Sequence, residues 1–140
     1  MNGNTTRIAI ACLASVVLAG CTHNQVVAKD PAAVVLAAQS LAPWSNPPRY
    51  TTTEVVPTQE WSVVITEPVP GEKFEHHEIT IRVVRVNEKE ADVSVTASHI
   101  NSFMPQTRKT ANRVARRYGE RLTKTLKQEQ PQQPLPQVQK

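Results

Sequence analysis

Between Lys73 and His99, apolar and polar residues alternate along two consecutive segments, and this pairing constrains the fold more than any other stretch of the chain. Ile79, Ile81 and Val83 alternate with Thr80 and Arg82, and Val93, Val95 and Ala97 alternate with Ser94 and Thr96. A period of two sends successive side chains to opposite faces of a strand, so each segment has one apolar face. The two faces coincide when Val83 stands opposite Val93, Ile81 opposite Val95 and Ile79 opposite Ala97, with Asn87-Glu88-Lys89 as the hairpin loop. A slip of one residue would turn the whole apolar set outward. The other face then pairs Arg82 with Ser94, Thr80 with Thr96 and Glu78 with Ser98, which is the pattern of an antiparallel sheet covered on one side.

The cover is supplied by residues 108–127, where Ala111, Val114, Ala115, Tyr118, Leu122 and Leu126 recur at helical spacing. Upstream, Tyr50 to Val56 and Glu60 to Glu67 are rich in Thr, Val and Ile and flank Pro57-Thr58-Gln59, which reads as two strands and a turn. Pro68-Val69-Pro70-Gly71 reads as a further turn. Asp30 and Pro31 provide an N-cap and first helical position for a short helix from Ala32 to Leu41, which Pro43 terminates. The expected fold class is α+β: a small antiparallel sheet of about four strands, covered on one face by a C-terminal amphipathic helix, with a short N-terminal helix. Residues 30–49 are the short helix and a Pro-rich loop, residues 50–127 the α+β domain, and residues 128–140 a Gln- and Pro-rich tail too poor in apolar surface to order on its own.

The N-terminus has a different character. Met1 to Arg7 is polar with a single cation, Ile8 to Ala19 is an apolar run interrupted by Ser15 alone, and Leu18-Ala19-Gly20-Cys21 closes it with small residues and a cysteine. Such a run is too short to cross a bilayer, which takes about 20 apolar residues. These residues resemble the signal peptide and lipobox of bacterial lipoproteins. The resemblance implies removal of residues 1–20, lipidation of Cys21 with acyl chains such as palmitate, and a lipidated tether over residues 21–29. Thr22, in place of an aspartate after the cysteine, implies a lipid-anchored position in the cell envelope, at the outer membrane and facing the periplasm. With Cys12 in the discarded segment and Cys21 acylated, the mature chain would contain no disulfide.

Charge is segregated. Arg108, Lys109, Arg113, Arg116, Arg117, Arg121, Lys124 and Lys127 share residues 108–127 with a single acid, Glu120, whereas residues 22–107 carry ten acids against six bases. The guanidinium fork suits phosphates and carboxylates, so Arg113, Arg116, Arg117 and Arg121 are the candidate contact to an anionic envelope component or an envelope protein. Nucleic acid is not an expected partner, given the anchor and the lack of an aromatic stacking platform. His77 falls opposite His99 on the apolar face, a pair able to respond to pH or to bind a metal if Glu75 or His23 supplied a further ligand. The alternative is that both histidines simply cap the rim of a small core. No nucleophilic-serine motif or glycine-rich phosphate loop is present, and no cofactor is implied. The expected function is that of a membrane-anchored, non-enzymatic lipoprotein with an interaction or structural role in the envelope. A metal- or pH-responsive periplasmic binding module using His77 and His99 is the second reading.

Overall fold

The computed structural model describes residues 23–101 and 107–128; the segment 1–20, Cys21 and the tail beyond Gln128 lie outside the described residues. The elements follow in the order β1 (His23–Val27), α1 (Pro31–Ser40), β2 (Tyr50–Val56), β3 (Glu60–Pro68), β4 (His76–Asn87), β5 (Glu90–Ile100) and α2 (Thr107–Gln128). This is an α+β architecture with one antiparallel sheet in the order β1-β5-β4-β3-β2.

The sheet has five strands, not about four. The additional strand comes from the segment expected to be a tether: His23 pairs with Val95, Gln25 with Val93 and Val27 with Ala91. The segment HNQVV shows no clear alternation of apolar and polar residues, so nothing local marks it as a strand. It is recruited because β5 would otherwise offer a bare edge of unpaired backbone groups. His23 also lies against α2: a Cβ placed on Gly119 would stand 2.3 Å from the His23 Cδ2 atom.

The central hairpin adopts the expected register, including Val83↔Val93, Ile81↔Val95, Ile79↔Ala97 and His77↔His99. Its loop differs. Asn87 pairs with Glu90, leaving Glu88 and Lys89 as the turn, and the register shifts between Arg85 and Asn87. The extra residue, Val86, is bulged and exposed. A second shift between Glu54 and Val56 interrupts the outer strand β2, whose residues are mostly exposed. Arg85 ties the two hairpins together, donating from its backbone N–H to Gln59 O and from Nε to Thr58 O, both at 2.8 Å.

The core consists of alternate strand residues (Val63 and Ile65 in β3; Ile79, Ile81 and Val83 in β4; Ala91, Val93 and Val95 in β5) together with Val34, Val35, Ala37, Ala38 and Leu41 from α1 and its C-cap and Val114, Ala115, Tyr118, Leu122 and Leu126 from α2. Helix α1 starts where capping chemistry places it: Asp30 Oδ1 accepts from Ala32 N at 3.4 Å and Pro31 occupies the first turn. No helix among the described residues is long and apolar enough to cross a membrane.

Candidate functional site

Helix α2 is amphipathic in the way its sequence suggests. Ala111, Val114, Ala115, Tyr118, Leu122 and Leu126 are buried, while Arg113, Arg116, Arg117, Glu120, Arg121, Lys124 and Lys127 are exposed. At 3.6 residues per turn the exposed set occupies one continuous face, with Glu120 as the acid among six cations. Residues 107 and 108 begin the helix, and Lys109 is exposed.

The four candidate arginines are not equivalent. Arg117 Nη2 donates to both carboxylate oxygens of Glu67 at 2.7 Å, and its guanidinium lies 5.7 Å from the centre of the Tyr118 ring. Arg121 lies 5.2 Å from the same ring. Arg117 therefore fastens α2 to the end of β3, and Arg121 is partly held by a cation–π contact. Arg113 and Arg116 remain on the outward face.

Beneath Arg117 is a polar cluster at one end of the sheet. Glu67, His77 and His99 stand in one cross-strand row of β3, β4 and β5. The imidazoles of His77 and His99 are 4.6 Å apart between centroids and inclined at 50°. His99 Nε2 and Glu75 Oε2 are hydrogen-bonded at 2.9 Å. His77 is buried, and its pKa is lowered from the ordinary histidine value, first by burial and then by the nearby His99; Glu67 opposes that shift while Arg117 and His76 add to it. The Tyr118 phenol is fully buried and pushed up to about 12, by burial first and by the Glu67 carboxylate second. Among the described residues, His77 Nε2, His99 Nδ1, Tyr118 Oη and Gln25 Nε2 are buried without a hydrogen-bonding partner.

The sequence-derived histidine pair is thus in place, but the further ligands considered for it are differently engaged. Glu75 is bonded to His99, and His23 packs against Gly119. Among the described residues, no group of three or more His, Cys, Asp or Glu side chains could hold a metal ion. Sequence reasoning missed the Glu67–Arg117 and Glu75–His99 pairs. Both join residues distant in the chain: the strand register brings Glu67 to the histidine row, and the β3–β4 loop brings Glu75 there.

No family model, curated protein or solved structure matches this chain.

Proposed function

We propose that the chain is a bacterial lipoprotein, held at the cell envelope by acyl chains on Cys21, whose small domain serves as a non-enzymatic interaction module. In this reading α2, with α1 beside it, covers one face of the sheet, and the outward face of α2 meets an anionic envelope component. The observation that carries the reading is the row of exposed cations, Arg113, Arg116, Arg121, Lys124 and Lys127, interrupted by Glu120. Each cation close to an anionic surface contributes about 1 kcal/mol at physiological ionic strength. Replacing Arg113, Arg116 and Arg121 with glutamine should therefore weaken binding to anionic vesicles or cell-wall fragments by roughly 100-fold, with the circular-dichroism spectrum unchanged. Arg117 is excluded from that set because it holds Glu67. Equal binding by variant and parent would refute the role of the helix.

A second reading, a metal- or pH-responsive binding module, is favoured by the close His77–His99 rings. Titration with zinc by calorimetry separates the two. Heat and stoichiometric binding that disappear in His77→Gln would support the second reading, and absence of heat would leave the histidines as rim residues of the core.

A further inference from the structure

We infer that the end of the domain formed by the α1–β2 loop, the β3–β4 loop and the first turns of α2 rests on the surface of an anionic phospholipid bilayer, with Trp44 and Phe74 seated among the headgroups. The inference deepens the lipoprotein reading and rests on it for the position of the anchor.

The sheet topology identifies which end this is. Strand β1 runs antiparallel to β5, so the start of β1 points the same way as the end of β5, the start of β4 and the end of β3. Cys21 precedes His23 by two residues, a span of at most about 7 Å. An anchor on Cys21 cannot let this domain roam; the edge of the sheet where β1 begins, opposite Val95 in the middle of β5, must stay near the membrane.

The same end carries the exposed aromatic surface. Trp44 is 94 % and Phe74 80 % exposed, whereas Tyr50 and Trp61 are half-buried and Tyr118 is buried, so among the described residues the exposed aromatic rings share this end. Trp44 lies in the loop that leads through Arg49 into β2, where Arg49 O accepts from Thr66 N of β3. Phe74 lies in the β3–β4 loop, and its carbonyl accepts from Asn101 Nδ2 just beyond β5. Arg117 reaches Glu67, next to the last residue of β3, so the earlier turns of α2, with Lys109 and Arg113, belong to this end too. The opposite end presents the tight turns of both hairpins.

Aromatic rings flanked by cations are the chemistry of the membrane interface: the ring enters the headgroup region while Lys and Arg pair with lipid phosphates. Arg49 and Lys73 are both exposed in the two loops that carry these rings, with Glu72 as an acid of the β3–β4 loop. A fully solvated tryptophan gains by leaving water, and a bilayer held close by the anchor makes that transfer intramolecular.

The test uses the full-length protein extracted from membranes, its acylation read from intact mass, and reconstituted into phosphatidylethanolamine–phosphatidylglycerol vesicles containing lipids with a spin label near the headgroup. Trp44→Phe serves as the paired variant; Trp44 is so exposed that its replacement leaves packing untouched, and Trp61 reports equally in both proteins. The expected result is strong quenching in the parent that falls to the weak Trp61 background in Trp44→Phe and returns when Phe74→Trp is added. Acylated protein in which parent and Trp44→Phe are quenched alike overturns the proposal while leaving the anchor intact. If the mass shows no acyl chain, the lipoprotein reading fails; quenching of Trp44 on added vesicles would still support this surface as a lipid contact, and its absence would overturn that as well.

Discussion

Gly119→Ala should destabilise the protein, although helix propensity alone argues the reverse. Gly119 lies in the interior of α2, where exchanging glycine for alanine ordinarily adds about 1 kcal/mol to stability. Here the new methyl would sit 2.3 Å from His23 Cδ2, 2.7 Å from Cγ and 2.9 Å from Nε2, all well inside the roughly 3.5–4.0 Å of a relaxed carbon contact. Either the imidazole leaves its site or β1 and α2 separate by about 1 Å, and overpacking of this kind costs about 1–3 kcal/mol. We expect Gly119→Ala to lower stability by about 1 kcal/mol net, a fall in Tm of roughly 4–8 °C for a domain of this size. In a His23→Ala background the obstacle is gone, so the same substitution should raise stability by about 1 kcal/mol, which makes the coupling between the two sites about 2 kcal/mol. Urea denaturation followed by circular dichroism across the four proteins of the cycle measures it. Additive effects, with Gly119→Ala stabilising in both backgrounds, would mean that the His23 ring does not lie against Gly119 in solution.

Three further outcomes follow from the polar cluster. His77 has a lowered pKa in the folded state, so between that value and 6.5 the unfolded chain binds more protons; its contribution to stability is complete above about pH 6.5 and is lost as pH falls, and His77→Gln should flatten this part of a urea-midpoint profile. The phenol of Tyr118 should ionise only near pH 12, so ultraviolet titration of the native protein should show a late tyrosinate step that Tyr118→Phe removes. Arg117→Gln should cost stability, by about 1 kcal/mol or less because the ion pair is half-exposed, whereas Arg113→Gln should leave thermal unfolding unchanged.

The parts of the fold that were legible in the sequence are those whose signal is local. The hairpin of β4 and β5 is declared by alternation, because each of its residues is sorted by the face it occupies and the register follows from matching those faces. Helix α1 is declared by Asp30, Pro31 and Pro43, residues whose backbone preferences act over a single turn. Strand β1 is not declared at all. Val26 is 63 % exposed while His23 and Gln25 turn inward, the opposite of what hydropathy suggests, because the inward side of β1 faces the flank of α2 and Gln25 Oε1 accepts from Thr123 there at 2.8 Å. A polar residue that meets a polar partner across the fold cannot be told from a solvated one by reading along the chain.

The candidate surface was only half legible for the same reason. Eight cations on residues 108–127 announce a basic helix, and the apolar stripe announces which side turns inward. Which cations remain available to a partner is decided elsewhere. Glu67 stands next to the last residue of β3, within reach of Arg117 at the middle of α2, so Arg117 is drawn into the protein's own architecture while Arg113, one turn earlier, has no described carboxylate partner and faces outward. Glu75 is drawn in similarly by His99, which keeps a carboxylate on the rim of the histidine pair. Net charge therefore overstates what α2 offers to a partner, and the fraction engaged internally is set by the acids, such as Glu67, that the sheet places within reach of the helix.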